Sequence, residues 1–162
     1  MTARRLTRDA LLTAVALILF TAEAQIPAPV PVPGVKLGLS NIVNAWAVCR
    51  IGAWDALAIL LCRVFLGALF AGHMMALFYS LSGGLLSLCA LLILRRVTDE
   101  SQLWICSVFA AIAHNAGQIA AAVLITRSLA VLAYFPFLVV SGAITGLFTG
   151  LCAQFLVSRR LS

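Results

Sequence analysis

Charged residues are scarce in this sequence, at 10% of the chain, with five acids against eleven bases. A soluble domain carries charge on about a quarter of its residues, so the scarcity excludes an ordinary water-soluble globule. Any Gly-x-x-x-x-Gly-Lys-Ser/Thr loop is missing, which excludes nucleotide hydrolysis built on such a loop. Asp9, Asp55 and Asp99 are isolated, and Asp99-Glu100 falls in a connection, so no acid-rich pair stands ready to hold magnesium against a diphosphate. Ser80, Ser82 and His114 supply the ingredients of an intramembrane hydrolase but lack its glycine-framed nucleophile pattern. Cys49, Cys62, Cys89, Cys106 and Cys152 form no Cys-x-x-Cys pair. Each lies in or beside an apolar run and reads as a small hydrophobe, not as part of a disulfide framework or zinc site. These absences lead us to expect no catalytic residues, no metal and no cofactor.

What the chain has in quantity is apolar residues, 64% of the total, gathered in stretches able to cross a hydrocarbon layer of about 30 Å. They predict an all-α polytopic membrane protein, a bundle of six transmembrane helices near 9–26, 37–52, 53–71, 74–94, 103–126 and 130–157. The second and third are short and meet at Gly52, so one of them is expected to be tilted, broken or only partly spanning. Pro136 in the sixth marks either a kink or a later start. The arginines sit at segment ends. With the N-terminus inside, Arg4, Arg5, Arg8, Arg50, Arg95, Arg96, Arg159 and Arg160 are cytoplasmic, Lys36 and Arg127 lie outside, and Arg63 lies within the third span. An odd number of crossings would put one basic terminus outside, so the expectation is a multi-pass cell-membrane protein with both termini cytoplasmic. Arginines dispersed in this way, without interleaved aromatics, argue against nucleic-acid binding. Arg4, Arg5 and Arg8, the apolar run to Phe20 and Ala22-Glu23-Ala24 imitate a cleavable signal, but the segment continues to Ile26 and reads as a true span. No linker or charge run divides residues 1–162, so a single domain is expected.

Polar side chains at membrane depth are expensive and call for a partner, a cavity or a ligand. Asn41 and Asn44 occupy the outer half of the second helix, and Arg63 the middle of the third. His114, Asn115 and Gln118 are spaced to share one face of the fifth. With Glu23 and Lys36 they outline a cavity open to the exterior and suited to a small anionic or amide-bearing metabolite. The competing reading is that the amides hydrogen-bond across helices as structural glue. Arg63 needs an anion, which is either an internal partner such as Glu23 or Asp55 or a ligand. His73 reads as an interfacial residue. Pro27, Pro29, Pro31 and Pro33 stiffen the first external loop, which serves as a lid presenting Lys36 or as a rigid connector. Gly142, Gly146 and Gly150, spaced by four, form a face for close helix packing.

The run from Pro31 to Asn41 and the run Ala113-His114-Asn115-Ala116-Gly117-Gln118 resemble the Gx transporter family, also labelled heptaprenyl diphosphate synthase component I. The resemblance extends through Arg63, Ser82-Gly83-Gly84 and Pro136 to Gly150, nearly the whole chain. That family is similar to the substrate-binding S components of energy-coupling-factor (ECF) transporters, six-helix proteins that capture vitamins or precursors and dock on a transmembrane subunit with two ATPases. The resemblance implies binding of a small metabolite, a vitamin or an isoprenoid-quinone precursor, at Lys36, Asn41, Asn44, Arg63, His114, Asn115 and Gln118. It also implies docking through an Ala-x-x-x-Ala face, for which Ala10 and Ala14 have the spacing. The enzyme label implies the alternative of a non-catalytic membrane accessory subunit of polyprenyl diphosphate synthesis.

Overall fold

The computed structural model describes residues 2–25, 38–72 and 74–159. Lys36, the proline stretch, His73 and Arg160 lie outside the described residues. The described chain forms six α-helices: α1 (Ala3–Gln25), α2 (Ser40–Arg50), α3 (Ala53–Ala71), α4 (Met74–Leu94), α5 (Leu103–Thr126) and α6 (Phe135–Ser158). Short 3-10 turns, Glu100–Gln102 and Leu129–Tyr134, lead into α5 and α6. The later start is therefore the correct reading of Pro136, which occupies the first turn of α6, where its missing N–H has no intrahelical partner to lose.

Among the described residues, four stretches are long and apolar enough to cross a membrane: Ala53–Phe70, Leu77–Leu94, Leu103–Thr126 and Leu129–Ser158. The other two helices depart from the expected spans. α1 begins six residues before position 9, because Arg4, Arg5 and Arg8 are good helix formers and two of them find a carboxylate on α3. α2 has 11 residues, a length of about 16 Å, roughly half the hydrocarbon thickness.

Polar contacts fix how the helices alternate. Arg5 and Arg8 near the start of α1 meet Asp55 near the start of α3. Arg50 at the end of α2 donates to the Val157 carbonyl near the end of α6, and the Trp104 amide at the start of α5 donates to Gln154 of α6 at 3.3 Å. Glu23 near the end of α1 meets the start of α2. Consecutive helices thus run antiparallel, and both ends of the described chain lie at one end of the bundle. Arg4, Arg5, Arg8, Arg50, Arg95, Arg96 and Arg159 gather at that end, and Arg127 stands at the other.

α2 is the centre post. Its Val43 and Ala47 pack with Ala16, Ile59, Leu60 and Leu88 from α1, α3 and α4, while its Ala45 packs with Leu91, Leu103, Cys106 and Ala153 from α4, α5 and α6. The glycine face of α6 packs as expected. A Cβ added at Gly146 would stand 2.7 Å from Val108 Cα, and one at Gly150 would stand 2.7 Å from Trp104 Cα. Gly83 of α4 and Gly117 of α5 meet in the same manner, a Cβ on Gly117 falling 2.8 Å from Gly83 Cα. α4, α5 and α6 therefore form a layer whose backbones nearly touch, close packing that small residues permit in lipid. Large apolar side chains such as Phe70, Ile93, Phe137 and Ile144 point away from the bundle.

Candidate functional site

Because α2 reaches only about halfway along the bundle, the described residues leave the centre of the other half open above Ser40, its first residue. The opening is a cavity of about 50 Å³ bordered by Phe20 and Glu23 of α1, Arg63 of α3, Ser80 of α4, His114, Asn115 and Gln118 of α5 and Thr145 and Thr149 of α6. Gly38, and Ser40 and Asn41 of α2, close it. The structure thus brings together Asn41, Arg63, His114, Asn115 and Gln118 from the residues expected to bind substrate. Asn44 sits one turn deeper and lines a second pocket of about 20 Å³ with Ser87 and Ser107. The two pockets share Asn41, Ala111 and Thr149.

Arg63 dominates the first cavity. It is 4% exposed and ten residues into α3, about 15 Å from that helix's start. Its Nη1 donates to Ser40 Oγ at 2.5 Å, and its guanidinium carbon lies 6.0 Å from the centre of the Phe20 ring. Nε and Nη2 have no hydrogen-bond partner among the described residues. Asp55, one of the two expected internal partners, is engaged elsewhere. It lies eight residues, about 12 Å, from Arg63 along α3, and it accepts from Arg5 Nε at 2.8 Å and Arg8 Nη2 at 2.6 Å. Bonding to that carboxylate, more than its charge at a distance, holds the Arg5 guanidinium above its ordinary pKa.

Glu23, the other expected partner, faces the same cavity but forms no ion pair with Arg63 within 4.0 Å. Its two oxygens accept from the backbone N–H groups of Gly38 at 2.7 Å and Leu39 at 2.9 Å. It therefore caps the amide end of α2, satisfying donors that have no intrahelical acceptor and complementing the positive end of the helix dipole. Gly38 at φ +68 turns the chain into this cap, a conformation glycine adopts without penalty.

The face of α5 is held rigidly. Asn115 Nδ2 donates to the Leu138 carbonyl of α6 at 2.6 Å, and Ser82 Oγ donates to the Gly117 carbonyl at 2.7 Å. Ser82 thus braces α4 against α5. Ser40, Thr145 and Thr149 belong to the site without having been expected there. The two threonines had a readable signal, since their spacing of four repeats that of the neighbouring glycines. Ala10 and Ala14 lie exposed on the outward side of α1 beside Leu11 and Ile18.

A helical membrane protein that buries a polar cavity around an arginine at mid-depth is the class these features define. The chain belongs to the family described as heptaprenyl diphosphate synthase component I, whose profile it matches over residues 12–156. No curated protein and no solved structure gave a match.

Proposed function

We propose that the protein is the substrate-binding membrane subunit of an uptake system resembling the energy-coupling-factor transporters, with its cavity facing the exterior and both termini in the cytoplasm. The observation that carries this reading is the buried cavity around Arg63, with two guanidinium nitrogens unpartnered among the described residues and surrounding groups from five helices and the start of α2. A purely structural arginine would be expected to have all its donors satisfied, because an unpaired buried cation costs several kcal/mol, on the order of 3–5 in soluble proteins. Gathering of the arginines at one end supports the orientation, which follows the positive-inside rule. The outward Ala10–Ala14 face is the docking surface for a transmembrane partner that carries two ATPases. Lys36, in the stretch before α2, contributes a further contact to the ligand.

The family's description favours a second reading, a non-catalytic membrane subunit attached to polyprenyl diphosphate synthesis. Affinity purification from membranes discriminates between them. Recovery of two ATPases and a transmembrane partner, lost in Ala10→Trp and Ala14→Trp, supports uptake; recovery of a soluble Asp-rich prenyl synthase supports the alternative and contradicts the first proposal.

A further inference from the structure

The arginine bordering the cavity keeps one particular edge buried and unpaired among the described residues. Nη1 is bonded to Ser40, while Nε and Nη2, which lie side by side and point their N–H bonds in parallel, are unpartnered among the described residues. This pair is the side-on fork that matches the two oxygens of a planar carboxylate. Elsewhere in this chain the same edge meets a carboxylate, its two nitrogens converging on one oxygen: Arg8 directs Nε and Nη2 at Asp9 Oδ1 at 3.0 and 2.9 Å, and Arg5 directs its own at Asp55 Oδ1.

The other charges at the cavity decide between anions. Glu23 is the second charged group lining it among the described residues, and both its oxygens are already used by Gly38 and Leu39. It therefore neutralises the start of α2 and leaves the Arg63 fork open. The charges of Arg63 and Glu23 cancel, so a monocarboxylate leaves the site at a net −1 and a phosphate dianion at −2. In a low-dielectric interior the added repulsion from Glu23 disfavours the dianion. A cationic ligand would be repelled by the Arg63 guanidinium.

We propose that the ligand of this cavity is a monocarboxylate, received side-on by Nε and Nη2 of Arg63, with Ser40 holding the guanidinium plane by its third nitrogen. Gln118 and Asn115 border the remaining space and meet whatever polar group the rest of the molecule carries. This assignment rests on the binding reading above and narrows it to one chemical class.

The test uses the full chain in lipid nanodiscs, titrated with benzoate against benzamide, acetate against acetamide, and inorganic phosphate. The acids are expected to bind at least about tenfold more tightly than their amides, the discrimination given by a buried fork left unpaired by the neutral analogue. Arg63→Lys keeps the charge but lacks the fork and is expected to lose about tenfold in acid affinity, with a smaller loss in Ser40→Ala. The acid-to-amide ratio is read on unmodified protein, so it stands even if a variant fails to fold. Equal binding of acid and amide, preference for phosphate, or failure of every acid to bind would overturn the assignment. If denatured wild-type protein releases a neutral or phosphorylated metabolite whose retention falls in Gln118→Leu, the carboxylate assignment is wrong while the binding reading survives. If nothing is released and no probe binds, both fall.

Discussion

Replacing Gly146 by alanine tests the packing that presents the α5 face to the cavity. A Cβ there would stand 2.7 Å from Val108 Cα, 2.8 Å from the Ser107 carbonyl oxygen and 2.9 Å from Ala111 Cβ. Carbon atoms rest at about 3.5 Å or more, so α5 and α6 must part by about 0.8 Å. The obstacles are mainly backbone atoms, and Gly150 one turn on is equally tight against Trp104 Cα at 2.7 Å, so turning a side chain away does not relieve the clash. Overpacking of this kind costs about 1–3 kcal/mol, against which alanine's better helix propensity returns at most about 1 kcal/mol. The expected net loss is about 1–2 kcal/mol for Gly146→Ala and above about 3 kcal/mol for Gly146→Leu, read by reversible SDS unfolding in mixed micelles. Gly67→Ala serves as the control: its added Cβ meets the Phe20 ring at 3.0 Å, a side chain that can turn, and a loss within about 0.5 kcal/mol is expected. A Gly146→Ala protein as stable as the unsubstituted chain would refute the claim that these backbones are in contact.

The remaining predictions concern charge and orientation. Glu23→Gln keeps the shape of the cap on α2 but removes its charge, and a loss of about 1 kcal/mol is expected in the same unfolding assay. Arg63→Met removes a buried cation that is incompletely partnered among the described residues. The ligand-free protein should melt about 2–4 °C higher, whereas a purely structural arginine predicts a lower melting temperature. In a cysteine-free background, Leu129→Cys should react with a membrane-impermeant maleimide added to intact cells and Val97→Cys should not; the reverse pattern would invert the proposed orientation.

Much of the architecture was legible because lipid imposes a simple rule on composition: apolar stretches become helices, and arginines collect at their ends. The helical positions of α3, α4 and α5 and the packing role of the α6 glycines followed from that rule. The extent of α2 did not, because Leu37, Gly38 and Leu39 continue its apolar pattern, and its start is set by a tertiary contact, the Glu23 cap. Spacing of three and four on one helix was enough to unite His114, Asn115 and Gln118, and depth alone brought Arg63 near them. The hydrogen bond from Arg63 to Ser40 was not readable, since a serine at the start of a helix is ordinary and its meaning depends on which helix passes above it. Sequence alone leaves Asp55 as a possible partner of Arg63, because it does not show the arginines of α1 that stand at the level of Asp55 and engage it.

The central claim is that the cavity around Arg63 is a receptacle for a small molecule. Its most direct test is mass spectrometry of the metabolites released on denaturing the protein purified from its native membrane, compared with Arg63→Gln and Gln118→Leu proteins of equal fold and yield. One dominant small molecule is expected, near one per chain in the unsubstituted protein and strongly depleted in both variants. Equal release from all three, or release of lipid alone, would contradict it.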